Sequence, residues 1–212
     1  KGNVKGYEIG QIDSILVTQI EEEYCFQFFM KDTTLAPIPI DSITFAQRSD
    51  TIYLSYTDEM VTYNNPHACF THIDIDQCNV KIRHSDSLSP LILSVSGSCK
   101  EGCLSIQSES DCHIVFQEVN LQSSMCPAIE VQSNVSTTIE LAEYTCNMLA
   151  DAIVAGFDVK YDGCIQTKGE LYFEGKGYLN LKGGLKHAIY SKQGITFEDG
   201  DVTISYAASD AI

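Results

Sequence analysis

The chain contains no tryptophan and few basic residues. Its 212 residues include 13 Lys and Arg against 29 Asp and Glu, which gives a formal net charge of −16 at pH 7. Because a phosphate backbone is bound through Lys and Arg, this charge argues strongly against nucleic acid as a partner. It also disfavours adsorption to anionic membranes, and the missing tryptophan weakens the case for an apolar loop that enters lipid.

Long apolar runs are missing as well. The chain has no stretch of about 18 apolar residues, so this fragment is not expected to span a bilayer. The first residue is Lys1 rather than Met. We therefore expect that a preceding segment, with room for a signal peptide, has been removed.

Familiar catalytic motifs are the third absence. The sequence has no G-x-S-x-G nucleophile motif, no C-x-x-C pair and no phosphate-binding glycine loop between a strand and a helix. Acidic pairs such as Glu170 and Glu174 can be proposed, but 29 acids produce many such pairs by chance. We predict that the protein is not an enzyme and has neither catalytic residues nor a cofactor.

Cysteine, in contrast, is abundant. Scattered cysteines in a strand-rich chain indicate an oxidising compartment, so we predict a disulfide-stapled protein of the secretory pathway. The odd count leaves one cysteine unpaired or interchain, and spacing alone does not fix the connectivity. The nine are Cys25, Cys69, Cys78, Cys99, Cys103, Cys112, Cys126, Cys146 and Cys164.

The segment Val95–Phe116 concentrates three of these cysteines between two strand-like runs. If they are oxidised, they tie together segments that a small β-domain must hold close. Zinc is the alternative, but three, eight and thirteen residues separate Cys99, Cys103, Cys112 and Cys126 in turn. Structural zinc sites prefer closely spaced pairs, so this spacing favours disulfides.

One N-glycosylation sequon is present, Asn134-Val135-Ser136. Chance sequons are common, but the cysteines raise the case for the secretory pathway. We therefore predict glycosylation at Asn134 and an extracellular or virion-surface location.

β-Branched and aromatic residues alternate through the first 66 residues, which predicts strands. The run YCFQFFM at 24–30 is most simply a core strand, and an exposed apolar loop is the alternative. The prolines of LAPIPI, at 35–40, confine that segment to a sheet edge or a crossover.

A polar set follows at His72, Asp74 and Asp76, which alternate with isoleucines. In a strand these three side chains share one face, about 6.6 Å apart at each step. An imidazole with two carboxylates is a weak metal candidate. A solvated strand face with isoleucines beneath is the simpler interpretation.

Residues 137–156 carry the best helical pattern. Apolar residues recur at spacings of three and four, Thr137 and Glu140 match a capping box, and Gly156 suits a helix end. The rival interpretation is the tyrosine corner of an immunoglobulin domain, with Tyr-x-Cys at Tyr144 to Cys146. The helix is the preferred prediction.

Glycine-punctuated short strands fill residues 157–206 and predict a β-meander. Asp162-Gly163 is a hairpin signal, whereas the spacing is too irregular to indicate a solenoid repeat. We predict two domains, a disulfide-rich β-domain at 1–156 that ends in the helix and a meander at 157–212.

The run SGSCKEGCLSIQSESDCHIVFQ resembles the cysteine-rich, immunoglobulin-like domain of class II membrane-fusion glycoproteins from bunyavirus-type envelopes. The similarity rests on Cys99, on Gly102-Cys103 and on Cys112 opening a strand, over about a tenth of the chain. The resemblance implies a viral envelope protein. It assigns no fusion-loop residues here, because no tryptophan-bearing loop is present.

Together these observations predict an all-β, disulfide-stapled, β-sandwich-like ectodomain with one amphipathic helix and a C-terminal β-meander. The predicted function is that of a viral envelope glycoprotein fragment in host attachment, glycoprotein assembly or membrane fusion. Its partner would be a protein or glycan on a host surface, or a companion glycoprotein. The alternative is a secreted non-viral adhesin or immune-modulating binding protein, and an enzyme comes third.

Overall fold

The computed structural model describes residues 12–20, 23–30, 34, 38–39, 50–151 and 160–212. Every regular secondary-structure element in these residues is a β-strand, so the all-β prediction is confirmed. No helix of the length and apolarity needed to cross a membrane occurs among the described residues. The chain divides into two compact units, Lys1–Arg48 and Ser49–Ile212.

The first unit contains a three-stranded antiparallel sheet. Its strands are β1 (Ile12–Ile20), β2 (Glu23–Met30) and β3 (Ile38–Pro39), in the order β1-β2-β3. The apolar run at 24–30 therefore lies in the central strand, and Phe28 is buried there. The two described residues of the proline-containing segment, Ile38–Pro39, form the edge strand β3, which suits the missing N–H donor of Pro39.

The second unit is built from strands β4 to β19. The first group is β4 (Thr51–Tyr56), β5 (Val61–Asn64), β6 (Thr71–Asp76), β7 (Asn79–His84), β8 (Leu91–Cys99), β9 (Cys103–Ser108), β10 (Cys112–Ser123) and β11 (Ile129–Val131). The second group is β12 (Thr137–Leu141), β13 (Cys146–Asp151), β14 (Gly163–Thr167), β15 (Leu171–Gly175), β16 (Tyr178–Gly183), β17 (His187–Ser191), β18 (Ile195–Phe197) and β19 (Asp201–Ala207).

From β7 onward the chain winds in stacked turns, here called coils. The coils are β7–β8, β9–β10, β11–β13, β14–β16 and β17–β19. Each strand pairs in parallel with the strand at the same place in the next coil. Such stacking buries one continuous core between coils, and it defines a parallel β-solenoid.

Three faces enclose this core. The first face consists of β7, β9, β11, β14 and β17. The second consists of β4, β12, β15, β18 and the first halves of β8 and β10. The third consists of the second halves of β8 and β10 with β13, β16 and β19. Strand β10 spans two faces because the chain bends at Glu118, which has a φ of 59°.

Glycines occupy the same corner in other coils. Gly97 has a φ of +89°, and a Cβ atom there would lie 2.2 Å from the Tyr56 carbonyl oxygen. Gly175 has a φ of +94°, with the Leu141 carbonyl at the same 2.2 Å. Only a residue without Cβ adopts this backbone conformation and packs this closely. These positions let successive coils stack at van der Waals distance.

The core follows the period of two along each strand. In β10, β12 and β15 the inward residues are buried and the outward ones are partly exposed. Phe116, Phe173 and Tyr56 are the largest fully buried side chains. Burial of each aromatic side chain stabilises the fold by roughly 1.5–3 kcal/mol.

The helix predicted over 137–156 is wrong. Residues Thr137–Leu141 and Cys146–Asp151 form two strands, β12 and β13. Thr145 separates them in a turn, where its backbone N–H and hydroxyl donate to the Ala142 carbonyl at 3.2 and 2.7 Å. Parallel pairing of both strands overrides the weak helical propensity of the segment.

The apolar spacing that suggested a helix arises from two strands, each with alternating apolar residues, which are separated by the turn at 142–145. Ile139 and Leu149 are buried, but Cys146, which the helix would have buried with them, is exposed. The tyrosine-corner alternative is also wrong, because Tyr144 is 90% exposed instead of anchoring a corner. Gly156 lies outside the described residues.

The short strands predicted after residue 157 are present from 163 onward, but their pairing direction differs from a meander. Neighbouring strands belong to different coils and run parallel, whereas a meander pairs consecutive strands antiparallel. Gly163 begins β14, and its partner is His187 of the next coil. The boundary predicted at 156 also falls within the second unit, which begins at Ser49.

Candidate functional site

The outward side of the second face carries a cluster of His113, Glu140 and Glu174. His113 Nε2 lies 2.9 Å from Glu140 Oε2 and 3.6 Å from Glu174 Oε1. Each of the three side chains is a little over one third exposed. The cluster is therefore accessible to a ligand and still held by its neighbours.

The register of three parallel strands creates this cluster. Glu140 of β12 lies directly beside Glu174 of β15, and Val115 of β10 lies on the other side of Glu140. His113 is two residues before Val115, so it shares the outward side and reaches Glu140 diagonally. Residues directly opposite or diagonal on neighbouring strands are within reach of long side chains.

The carboxylates of Glu140 and Glu174 repel each other. Like charges opposite each other on neighbouring strands, about 4.8 Å apart, destabilise a sheet unless a positive group lies between them. His113 is the basic side chain that contacts both carboxylates. Among the residues that the structure describes, this is the one group in which three possible metal-ligating atoms lie within 4.8 Å of one another.

Hydroxyl-bearing side chains extend the surface around the cluster. Tyr172 lies beside Thr138 in the sheet register, and its hydroxyl donates to Glu170 Oε2 at 2.7 Å. Tyr53, on β4, is 47% exposed. We call this surface the His113 face, and it consists of Tyr53, His113, Thr138, Glu140, Tyr172 and Glu174.

The predicted metal candidates lie elsewhere, on the β6–β7 hairpin. His72 Nε2 contacts Asp74 Oδ1 at 2.8 Å, and Arg83 Nη2 donates to Asp74 Oδ2 at 2.7 Å. Asp76 is exposed at the strand end, opposite Asn79. The pair His72–Asp74 is therefore brought together, but Arg83 supplies the positive charge that a metal would otherwise bring.

A shallow cleft of about 340 Å³ adjoins this hairpin. Phe70, His72, Arg83, His84 and Glu109 are among its lining residues. Its mixture of one aromatic ring, one guanidinium and one carboxylate could hold a small polar ligand. The cleft is a second, separate binding candidate.

The remaining predicted site residues are Asn134 and the cysteines. Asn134 is exposed between β11 and β12, where its side-chain oxygen accepts a hydrogen bond from Gln193. Eight cysteines are described, all as thiols, and Cys25 belongs to β2. Glycosylation and disulfide formation stay predictions.

The sequence reasoning missed the His113 cluster because its members are far apart along the chain. In the sequence, Glu174 stands out only as a possible partner of Glu170, at a spacing of four. The missing information is the coil length, which brings positions 113, 140 and 174 together. Recognising the solenoid repeat would have supplied it.

Comparison with known proteins identifies the family. A family described as carbohydrate-binding domain-containing protein matches residues 79–212. This range covers more than half of the chain and includes all five coils. The chain therefore belongs to the family of carbohydrate-binding domain-containing proteins.

The chain is also similar to two further proteins, and the solved structure among them shares its fold. A carbohydrate-binding domain-containing protein of Acetivibrio thermocellus is 24% identical over 137 residues, which is 62% of this chain and 48% of that protein. A gadolinium-derivative structure of a polysaccharide lyase-like protein from C. thermocellum aligns with a TM-score of 0.61 and 19% identity. It covers 72% of this chain and 60% of that one, so the present chain spans about half to three fifths of these relatives.

These findings overturn the viral assignment. The resemblance to a bunyavirus-type fusion glycoprotein is wrong, and so are the envelope, virion and fusion functions it implied. The segment 95–116 forms parts of three solenoid strands instead of the start of an immunoglobulin-like domain. Cysteine spacing within a tenth of the chain is too short a pattern to define a fold. The non-viral binding protein, the alternative, fits better.

Proposed function

We propose that this protein is a carbohydrate-binding protein and that the His113 face contacts the glycan. The observation that carries the proposal is the position of the His113–Glu140–Glu174 cluster within the family region 79–212. The family supplies the ligand class, and the cluster supplies an exposed group of polar side chains on rigid strands.

The chemistry of the face suits sugar hydroxyl groups. Carboxylates of Glu140 and Glu174 accept hydrogen bonds, and those from a hydroxyl to an ionised carboxylate are short and strong. Tyr53 and Tyr172 offer partly exposed rings that can pack on the apolar side of a sugar. Because strands hold all of these groups, little side-chain entropy is lost on binding.

The charge of the face favours neutral or cationic sugars. Two carboxylates and a net charge of −16 repel acidic glycans in the absence of a bridging cation.

We further infer that the protein acts outside the cell or at its surface, where polysaccharides are available. It binds glycan without cleaving it.

Affinity electrophoresis against soluble neutral and acidic polysaccharides tests the proposal, followed by calorimetry with oligosaccharides of the best ligand. Glu140→Gln and Glu174→Gln keep the side-chain shape and remove the charge. Each is expected to weaken binding at least tenfold, since a charge-assisted hydrogen bond contributes about 1.5–3 kcal/mol. Glu143→Gln, at an exposed turn, is the matched control and should bind as the wild type does.

Two further measurements separate the alternatives. Unchanged binding in both glutamine variants, with loss in Arg83→Ala, would assign the ligand to the cleft beside the β6–β7 hairpin. Ultraviolet absorbance of the unsaturated ends that a lyase creates would show cleavage, and its appearance with any bound polysaccharide would refute the non-enzymatic part of the proposal.

A further inference from the structure

Four cysteines gather at one corner of the solenoid, around the hydroxyl of Tyr56. Tyr56 donates to the Cys103 carbonyl at 3.2 Å, and Cys78, Cys99 and Cys126 lie close enough to act electrostatically on its phenol. Cys78, Cys99 and Cys103 are buried, and Cys126 is half-buried. The corner is thus a cluster of sulfur atoms at the start of the stacked coils.

The thiols are arranged as two pairs. Burial and the proximity of Cys99 raise the pKa of Cys78, and Cys103 and Cys126 shift the pKa of each other. The Cys78 thiol itself donates to the Thr57 carbonyl at 3.3 Å, and the Cys103 thiol donates to Asn79 Oδ1 at 3.2 Å. Gly102 lies against the first pair, since a Cβ atom there would lie 3.1 Å from Cys99 Sγ and 3.2 Å from Cys78 Cβ. The side chains of Cys78 and Cys99 therefore meet at this glycine.

Each pair spans one coil. Cys78 immediately precedes β7 and Cys99 ends β8, so the first pair brackets the first coil. Cys103 begins β9 and Cys126 follows β10 by three residues, so the second pair brackets the second coil. In both coils the chain returns to the corner at which the coil began, so the last cysteine of the coil lies near the first.

We propose that Cys78–Cys99 and Cys103–Cys126 form two disulfide bonds, each of which closes one coil of the solenoid on itself. The bonds are a modification of the scaffold and do not depend on the proposed glycan site. They would fix the first two coils, on which the following three stack.

The second pair is prepared for thiol–disulfide exchange. The proximity of Cys103 lowers the pKa of Cys126 to about 7, and the proximity of Cys126 raises the pKa of Cys103. Burial raises the pKa of Cys78 to about 11. The thiolate is the attacking species, so Cys126, the more accessible sulfur, reacts first.

With glutathione disulfide as the oxidant, the electrons balance in two exchanges. The Cys126 thiolate attacks one glutathione sulfur, forms a mixed disulfide and releases one glutathione thiolate. Cys103 then loses its proton and attacks the Cys126 sulfur, and the second glutathione leaves as a thiol. Two protein thiols are oxidised to one disulfide, while one glutathione disulfide is reduced to two glutathione molecules. The Cys78–Cys99 pair follows by the same steps, more slowly because both thiols are buried.

Peptide mapping of the full chain tests the proposal. The protein is equilibrated with glutathione disulfide or with dithiothreitol, its free thiols are alkylated in denaturant, and digests are analysed by mass spectrometry without reduction. Cross-linked peptides containing Cys78–Cys99 and Cys103–Cys126 are expected after oxidation and absent after reduction. Any other partner for these four cysteines, or their full alkylation after oxidation, would overturn the assignment.

Thermal unfolding provides a second readout that does not need a variant to fold. Closing two loops of this length should raise the Tm of the oxidised wild type by about 10 °C or more over the reduced protein. Cys126→Ser should lose about half of that redox-dependent rise, whereas Cys146→Ser, at an exposed thiol outside the cluster, should keep all of it. Equal Tm values for oxidised and reduced wild type would contradict the proposal.

Discussion

Glu140 and Glu174 lie directly beside each other on neighbouring parallel strands, and His113 contacts both carboxylates from the next strand. A double-mutant cycle with His113→Gln and Glu140→Gln should give a coupling free energy of about 0.5 kcal/mol, because these groups are partly exposed. Urea unfolding of the wild type, the two single variants and the double variant at one fixed pH measures the coupling.

The Lys100–Asp58 pair is the matched control for this cycle. Its atoms are 3.5 Å apart, and its side chains are 79% and 53% exposed. Its coupling should be close to zero. Equal coupling in the two cycles would show that the position of His113 between two carboxylates has no energetic effect.

Asp151 makes stability depend on pH. One of its carboxylate oxygens accepts hydrogen bonds from the Gly184 and Leu185 N–H groups, whereas the other is buried without a partner. Burial raises the pKa of Asp151 from 3.8 to about 6. Its contribution is full below pH 3.8 and is lost as the pH rises through 6.

Asp151→Asn removes this titration while keeping an oxygen that accepts both N–H groups. Between pH 4 and pH 7 the wild type should lose about 2 kcal/mol of unfolding free energy relative to the variant. Denaturant unfolding at several pH values measures the difference. Asp199→Asn, at an exposed loop, should follow the wild type, and parallel curves for wild type and Asp151→Asn would refute the prediction.

Gly97→Ala should destabilise the solenoid severely. The added Cβ would lie 2.2 Å from the Tyr56 carbonyl oxygen, and the φ of +89° is itself unfavourable for alanine. We expect a loss of about 3 kcal/mol or more, from strain of about 1–3 kcal/mol plus the clash. Gly194→Ala separates the two effects, since its φ is +151° but no atom lies within 4 Å of the added group. A similar Tm for both variants would rule out the close approach as the cause.

Asn147 joins three successive coils through its buried side chain. Its Oδ1 accepts from the Val119 N–H at 2.9 Å, and its Nδ2 donates to the Tyr178 carbonyl at 3.1 Å. Asn147→Ala leaves both backbone groups unsatisfied and should cost about 2–4 kcal/mol of unfolding free energy. Amide hydrogen exchange at Val119 should accelerate in the variant. Exchange as slow as in the wild type would mean that another group replaces the asparagine.

The strand positions were largely predictable, because alternation in runs such as Thr51–Tyr56 is a local property. The pairing was not, since it depends on which residues meet one coil later. The segment 137–156 shows the limit, because two strands and a turn produced a helical spacing by coincidence. The cluster at His113 was hidden for the same reason, as its members are 27 and 34 residues apart. Composition argued against nucleic acid as a partner, but it held no information about which family was present.

The alternation of buried and exposed residues along β12 and β15 limits how this surface can evolve. Deleting Thr138 from within β12 would exchange the two sides of the residues that follow, so that Glu140 would point into the core and Ile139 into solvent. Changes in chain length are therefore tolerated only at the corners, or as whole coils that add a strand to every face at once. A lineage could lengthen the His113 face by duplicating a coil, and each copy would bring a new outward row of side chains in register with the last.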